Sequence, residues 1–473
     1  MSDTATLTGE QPSIAKVLGV EWERPIDDET GWERERVDPS MAPSPPSAAM
    51  FHGPLGDAVR ALAPTQSVDP ISVFAQSFTM LGGLIGPDVY FREGVTKRSA
   101  ASYCLIVGGT GSGKGRAGGI AKYIGRRVAE PENFDDRCID GVASGEALIE
   151  AMADTVEGTA DGADQPVPEG RDGRLILFVE EFGGLASAIE SRGGSYEKVI
   201  VRAFDAETLS NRTKGMVLKA SKPHLAIVSH VTAEELRRGQ ILTQTQVYSG
   251  FLNRWNLIVT KAPGRTLDDV WVEDVSGFRE AVDRCAVAIH QRRRDGEHVY
   301  TRTSAADDVW LDTTDKLWDS QATHSELIDV QLTRARAHIL KAAVGYAVLD
   351  GAGQIDDVHL LAARSLWAYG ARSVKTFFGT WTGDPTIDAF LKRWRDDFSF
   401  GDISRTDVAG LMSNGLTKAR IDGMLDKLAD QGVLTVAPDK NARKSDKGRI
   451  PVVVRLSAPA DAVSSPSTTS ENW

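Results

Sequence analysis

The stretch YCLIVGGTGSGKGRA, residues 103–117, decides the fold class. Its first five residues are a continuous apolar run, which is typical of a short strand buried on both faces of a sheet. A glycine-rich loop follows with the spacing Gly-x-x-x-x-Gly-Lys from Gly108 to Lys114, and residues 118–128 then have helical periodicity. Strand, glycine loop and helix in this order predict a phosphate-binding loop at the start of a helix.

Glycines in such a loop let successive backbone N–H groups turn toward phosphate oxygens, and the following helix adds the positive end of its dipole. Lys114 would reach the β- and γ-phosphates of ATP. The alternative is a flexible glycine turn that binds no ligand. The residues predicted to bind ATP are Gly108, Gly109, Thr110, Gly111, Ser112, Gly113, Lys114 and Gly115.

Gly115 departs from the phosphate-loop pattern, which has Ser or Thr directly after the lysine as a ligand of Mg²⁺. Glycine offers no side-chain oxygen for this role. Either water fills that coordination position, or the hydroxyl of Thr110 or Ser112 shifts into it. Otherwise the site binds nucleotide and hydrolyses it poorly.

Polar residues follow the next two apolar runs of the chain. The run at 175–179 ends in Glu180 and Glu181, and the run at 225–228 ends in Ser229 and His230. A hydrolytic site needs a carboxylate for Mg²⁺ and a group that orients the attacking water. We assign these roles to Glu180 and Glu181, and predict that His230 lies just past its strand and senses the γ-phosphate. The alternatives are solvated carboxylates and a histidine without a catalytic role.

Two basic features lie around these runs. Residues 209–232 predict a β-hairpin with a basic tip, whose Arg212, Lys214 and Lys219 would grip a nucleic-acid backbone without reading its sequence. An ordinary solvated hairpin is the alternative. Arg254 precedes the apolar run at 257–259 and needs a partner. It predicts either an intramolecular ion pair or an arginine finger that reaches the ATP of a neighbouring subunit.

The composition restricts the class of protein. The 473 residues suggest about three domains. A net charge of −12 excludes a uniformly basic DNA-binding surface, so any DNA contact needs a local basic patch. Three scattered cysteines indicate a reducing cytoplasm rather than a disulfide framework, and neither a signal peptide nor a membrane-spanning run is evident.

The layout resembles that of AAA+ ATPases, and the basic hairpin resembles the branch that includes minichromosome-maintenance and superfamily 3 helicases. The segment GFLNRWNLIV, residues 250–259, resembles their arginine-finger segment, and residues 334–366 resemble their lid. This resemblance implies that Arg334 is a second sensor of the γ-phosphate, with Lys341 seven positions on. It also implies ATP and Mg²⁺ as cofactors, a hexameric ring, and DNA in a central pore that Lys214 faces.

A closer resemblance is to phage- and plasmid-borne P-loop proteins of undefined activity, often fused to primase domains. It covers residues 51–379 and includes SGEALI (144–149), VEEF (179–182) and SHVTAEEL (229–236). The phosphate loop of this family varies around its lysine, so Gly115 is expected to be a family trait. The resemblance implies a nucleic-acid-associated ATPase, with a primase or another replication protein as a partner.

The last part of the chain predicts a winged helix. Residues 386–456 have the order helix, helix, helix, strand, basic turn, strand. The second helix of the helix-turn-helix carries Asp422, Asp426 and Asp430, which repel phosphates, so backbone contacts by the wing are favoured. A protein-docking winged helix is the alternative. The wing residues predicted to contact DNA are Lys440, Arg443, Lys444, Lys447 and Arg449.

Buried strands that alternate with helices predict an α/β fold with a parallel sheet. We expect an ATP-driven DNA translocase or helicase that replicates a mobile element; the alternative is an ATP-switched DNA-binding or loading protein with little hydrolysis. The predicted domains are a disordered segment (1–49), a helical N-terminal domain (50–95), a P-loop AAA+ core (96–300), a helical lid (301–383), a winged helix (384–456) and a disordered tail (457–473).

Overall fold

The computed structural model describes residues 43–141, 144–157, 172–191, 195–212, 217–237, 250–261, 270–319, 326–378, 385–398, 401–412, 417–430, 434–438 and 452–456. The strands are β1 (Val89–Glu93), β2 (Thr96–Ser99), β3 (Tyr103–Val107), β4 (Cys138–Ile139), β5 (Thr155–Glu157), β6 (Arg174–Val179), β7 (Leu209–Arg212), β8 (Val217–Ala220), β9 (His224–Val231), β10 (Trp255–Val259), β11 (His298–Tyr300), β12 (Ile403–Ser404), β13 (Leu434–Pro438) and β14 (Val452–Leu456).

The α-helices are α1 (Gly53–Leu62), α2 (Pro70–Ile85), α3 (Lys114–Ala129), α4 (Gly145–Met152), α5 (Phe182–Ser191), α6 (Ser195–Phe204), α7 (Ala233–Arg237), α8 (Phe278–Arg294), α9 (Ser304–Asp319), α10 (Glu326–Leu332), α11 (Ala335–Leu349), α12 (Asp357–Phe378), α13 (Pro385–Phe398), α14 (Arg405–Leu411) and α15 (Lys418–Asp430).

A five-stranded parallel sheet forms the centre of the fold, in the order β10-β3-β9-β6-β4. All residues of β3 and of β9 are buried, as expected for strands that helices cover on both faces. The α/β prediction with a parallel sheet is therefore confirmed. Strand β9 lies between β3 and β6, so the loop after β3 and the carboxylates after β6 meet at one edge of the sheet, separated by one strand.

Helix α2 packs directly against this sheet. Asp69 caps its N-terminus by accepting a hydrogen bond from the N–H of Ile71 at 2.9 Å, and Pro70 fits the first helical position. Its aromatic residues Phe74 and Phe78 belong to the same core as Ile176 of β6. Packing is therefore continuous across the domain boundary predicted at residue 95.

The predicted hairpin forms from β7 and β8, which pair antiparallel, with Leu209 opposite Ala220 and Arg212 opposite Val217. Strand β5 joins the outer side of β8 and makes a small three-stranded sheet. The predicted tip with Lys214 lies outside the described residues.

The C-terminal region has its own core, formed by α13–α15 and the sheet β12-β14-β13. Ser404 and Asp407 form a reciprocal capping box at the start of α14. The order of helices and strands follows the prediction, with β12 as an additional short strand before α14. The predicted wing residues 440–449 lie outside the described part of the chain.

Two adjacent glycines in α3 provide a test of this packing. A Cβ on Gly118 would lie 2.6 Å from Cζ of Phe178 in β6, whereas a Cβ on Gly119 would meet nothing within 4 Å. We expect Gly118→Ala to lower the free energy of unfolding by about 1–3 kcal/mol through overpacking. Gly119→Ala should raise it by about 0.5–1 kcal/mol through helix propensity. Urea unfolding measures both, and equal effects at the two positions would contradict this packing of α3 on β6.

Candidate functional site

The glycine loop is held tightly where β3 ends. The N–H of Gly108 donates to the carbonyl oxygen of Val231 at 3.2 Å, which extends the pairing of β3 with β9 by one residue. A Cβ on Gly108 would lie 2.3 Å from Cγ2 of Thr260, so only glycine fits there. Gly111 and Gly113 have φ angles of +79° and +81°, in the left-handed region that favours glycine. Close backbone approach and positive φ therefore account for three of the loop glycines.

Lys114 folds back over this loop. Its Nζ donates to the carbonyl oxygens of Gly108 at 2.5 Å and Gly109 at 3.0 Å. Burial lowers the pKa of Lys114, and the nearby charge of Glu235 opposes this effect. The ammonium group is thus bonded to weak, neutral acceptors that phosphate oxygens could replace.

The loop fits a phosphate ligand. The hydroxyl of Ser112 is buried and makes no hydrogen bond within the described structure, so the loop contains an unused polar group. Gly115 is exposed, and a Cβ there would meet nothing within 4 Å. The surroundings of position 115 would therefore accommodate the side chain of Ser or Thr, and lack of space does not explain why glycine stands there.

Glu180 and Glu181 follow β6 at the same edge of the sheet, and both are exposed. They line a pocket of about 600 Å³ together with Lys122 and Asp140. Because Val179 pairs with Ser229 and Val107 pairs with Val231, the carboxylates lie almost level with the loop. Two strand spacings separate β3 from β6, which is about 10 Å and leaves room for phosphates and a metal ion.

The predicted position of His230 is wrong, because β9 extends to Val231 and His230 lies within the strand. Its Nε2–H donates to Oε1 of Gln76 in α2 at 2.9 Å, and its ring packs edge-on against Phe178. Burial, together with the charges of Lys114 and Lys122, lowers the pKa of His230 to about 4. The imidazole is therefore neutral and bonded to α2.

Arg254 lies directly before β10, where the parallel strands begin, whereas the glycine loop lies at the other end of the sheet, where the strands finish. It is 6% exposed and donates to Oδ2 of Asp205 at 2.7 Å and to the carbonyl oxygen of Gly250 at 2.6 Å. Arg334 and Arg98 donate to Oδ1 of the same aspartate at 3.3 and 2.9 Å. The intramolecular ion pair considered from the sequence is thus present, and the roles of arginine finger and second sensor stay predictions.

Asp205 keeps its charge in this arginine cluster (Arg98, Arg254 and Arg334). Burial by itself would raise the pKa of Asp205, but hydrogen bonds and charge from Arg254, with Arg334 and Arg98, lower it below the usual value. Lys341 lies nearby, fully buried, and its Nζ donates to the carbonyl oxygen of Phe204 at 2.9 Å. Burial lowers its pKa to about 7.

The predicted DNA contacts are only partly within the described structure. Arg212 and Lys219 are exposed on the β7–β8 hairpin, as a role in binding DNA requires. Lys214 of the tip and the wing residues Lys440, Arg443, Lys444, Lys447 and Arg449 lie outside the described residues.

One group within the described residues has the composition of a metal site: His52, Asp350 and His359. Nε2 of each histidine lies 3.2 Å from Oδ2 of Asp350. Nδ1 of His359 accepts a hydrogen bond from the N–H of Asp356 at 2.9 Å, so in the neutral ring the proton is on Nε2. That nitrogen donates to Asp350 and has no lone pair for a metal, so the group is a hydrogen-bonded link.

The sequence reading missed three residues of these sites: Asp205, Gln76 and Glu235. Asp205 and Gln76 had no signal, because their partners are distant in the chain. Glu235 had one, since Thr232 and Glu235 have the spacing of a capping box directly after a strand.

Comparison with protein-family models found no match, and a search of curated protein sequences found none either. Among the described residues, the helices lack the combination of length and apolar character that crossing a bilayer requires.

The ion pairs of Asp205 give a stability prediction. Asp205→Asn leaves the buried guanidinium group of Arg254 without a counter-charge, and we expect a loss of about 3–5 kcal/mol in the free energy of unfolding. The control is Glu207→Gln, which breaks an exposed ion pair with Arg202 and should cost less than about 1 kcal/mol. Denaturant unfolding of both variants tests this, and similar losses would contradict the buried cluster.

The buried histidines predict acid sensitivity. Burial lowers the pKa values of His230 and His338 to about 4. The unfolded chain therefore binds more protons than the folded chain between about pH 6.5 and 4, so stability is highest above this range and falls through it. Each histidine contributes a slope of up to about 1.4 kcal/mol per pH unit. The free energy of unfolding, measured at several pH values, should fall less steeply with decreasing pH in His338→Gln than in the wild type. An unchanged slope would contradict the contribution assigned to His338.

Proposed function

We propose that this chain is an AAA+-type ATPase that works as a ring-forming DNA translocase or helicase in replication of a mobile element. The observation that carries the proposal is the shared edge of the sheet, where the glycine loop with Lys114 and the pair Glu180 and Glu181 lie on either side of β9. In parallel sheets, ligands bind outside the carboxyl ends of the strands where the strand order reverses. Strand β3 is such a point, because β4 and β10 lie on opposite sides of it.

In this proposal the loop N–H groups and Lys114 hold the triphosphate of ATP. Mg²⁺, when bound, neutralises charge between the β- and γ-phosphates. Glu180 would hold the metal, and Glu181 would orient the attacking water. His230 acts indirectly, since it holds Gln76, whose Nε2 donates to the carbonyl oxygen of Lys114 at 3.3 Å.

The arginine cluster supports a role between subunits. Arg254 lies one strand length, about 16 Å, from the loop of its own subunit. It is therefore too far to act on the nucleotide bound in the same chain, but a neighbouring subunit in a ring could present its γ-phosphate there. Three arginines surround Asp205, and the γ-phosphate would compete for their guanidinium groups.

Exposed basic residues support DNA as the substrate. The chain carries a net charge of −12, so contacts with DNA need local patches. The exposed residues Arg212 and Lys219 of the hairpin provide one. We further propose that α14, α15 and the sheet β12-β14-β13 form a winged helix whose basic turn contacts the DNA backbone.

A second candidate is an ATP-switched DNA-binding or loading protein with little turnover. Gly115 favours it, because a loop without the hydroxyl that ligates Mg²⁺ binds nucleotide more readily than it hydrolyses it. Both candidates require ATP binding, and they differ in the rate of hydrolysis.

ATP hydrolysis with and without single-stranded DNA, measured on the wild type and on Glu181→Gln, tests the proposal. We expect DNA to stimulate the wild type and Glu181→Gln to lose about 10²–10⁴-fold in rate, as for removal of a general base. The variant should still assemble with ATP, which mass measurement with and without nucleotide shows. Absence of DNA-stimulated hydrolysis in the wild type would exclude the motor, and ATP-dependent assembly without hydrolysis would favour the switch.

A further inference from the structure

The glycine loop lacks an oxygen that a nucleotide-bound Mg²⁺ would use. At position 115 a Ser or Thr hydroxyl is expected, and Gly115 has none. Mg²⁺ in nucleotide sites is held by one or two protein oxygens, substrate phosphates and water. If the loop works with Mg²⁺, this coordination position is filled by water, by the hydroxyl of Thr110 or Ser112, or by an oxygen of another segment near Lys114.

Thr232 and Glu235 place a carboxylate beside the loop. Oε2 of Glu235 accepts from the N–H of Thr232 at 2.9 Å and from its hydroxyl at 2.8 Å, and the N–H of Glu235 donates to Oγ1 of Thr232 at 3.1 Å. These reciprocal bonds use one carboxylate oxygen. Among the described residues the other oxygen, Oε1, has no hydrogen-bond partner, and the side chain is exposed.

Thr232, which anchors this carboxylate, lies next to the strand residue that binds the start of the glycine loop. Thr232 directly follows Val231, whose carbonyl oxygen accepts from the N–H of Gly108 at 3.2 Å. The carbonyl oxygen of Gly108 in turn accepts from Nζ of Lys114 at 2.5 Å. Consistent with this proximity, the charge of Glu235 raises the pKa of Lys114 against the effect of burial.

We propose that Glu235 replaces the missing hydroxyl of position 115, with Oε1 as the oxygen that binds the Mg²⁺ of bound ATP, directly or through one water. The inference rests on the proposed function, since it requires the loop to bind ATP with Mg²⁺. The proposed Mg²⁺ ligand is the side-chain carboxylate of Glu235, which Thr232 holds in place. The helix dipole of the short α7 has no role in binding the metal. The competing explanation is that Glu235 only caps α7.

Glu235→Gln separates the two explanations, because Gln serves as well as Glu at this position of a capping box but carries no charge. The measurement is the Mg²⁺ concentration for half-maximal binding of a fluorescent ATP analogue, repeated with Mn²⁺ by electron paramagnetic resonance. We expect Glu235→Gln to raise this concentration by about 10–100-fold, the range for loss of a group that supports a bound metal. Gly115→Thr in the same variant should restore most of the loss, because position 115 has room for the side chain.

The matched control is Glu280→Gln, at an exposed glutamate in the first turn of α8, which should leave the metal requirement unchanged. Melting temperatures confirm that the variants fold. If Glu235→Gln behaves like the control, or if Gly115→Thr restores nothing, Glu235 is only a cap and the inference is overturned. The proposed function would then still stand, provided that Lys114→Ala abolishes nucleotide binding. A wild type that binds no nucleotide at any metal concentration would overturn both.

Discussion

The close approach of Gly108 to Val231 and Thr260 is the constraint on which the candidate site depends. It extends the pairing of β3 with β9 beyond the strand, and it leaves no room for a side chain at position 108. Because of this contact, the loop, Lys114 and the segment after β9 lie together. A larger residue at position 108 would move the loop away from the strand ends, and the carboxylate of Glu235 would no longer lie beside Lys114.

A buried polar link joins α2 to the same site. Gln76 is fully buried, accepts from His230 and donates to the first carbonyl oxygen of α3 and to Ser72. Buried polar groups are costly unless they are paired, so these bonds define how α2 packs against β9 and α3. A shift of Lys114 on ligand binding would act on this link, which connects the candidate site to the helices before the sheet.

The two ends of the sheet carry different clusters of charged residues. The end with the loop carries the carboxylates Glu180, Glu181 and Glu235 together with Lys114 and Lys122, whereas the other end carries the arginine cluster around Asp205. In the proposed ring, the end of one subunit that carries the loop would face the end of the next subunit that carries the arginine cluster. In the single chain Asp205 keeps the guanidinium groups paired and removes the cost of burying them without a partner.

Local patterns in the sequence were sufficient for the parallel α/β sheet, for the strand before the glycine loop, for the carboxylates after β6 and for both arms of the hairpin. These features depend on neighbours within a few residues, which periodicity and turn chemistry report directly. The hydrogen-bond partners of His230 and Arg254 could not be predicted in this way, because they depend on strand order and register. A β9 strand that runs to Val231 turns His230 toward α2, and Arg254 meets an aspartate 49 residues away in the chain. Side chains alternate between the faces of a strand, and no local pattern states where a strand ends to within one residue or which distant segment lies beside it.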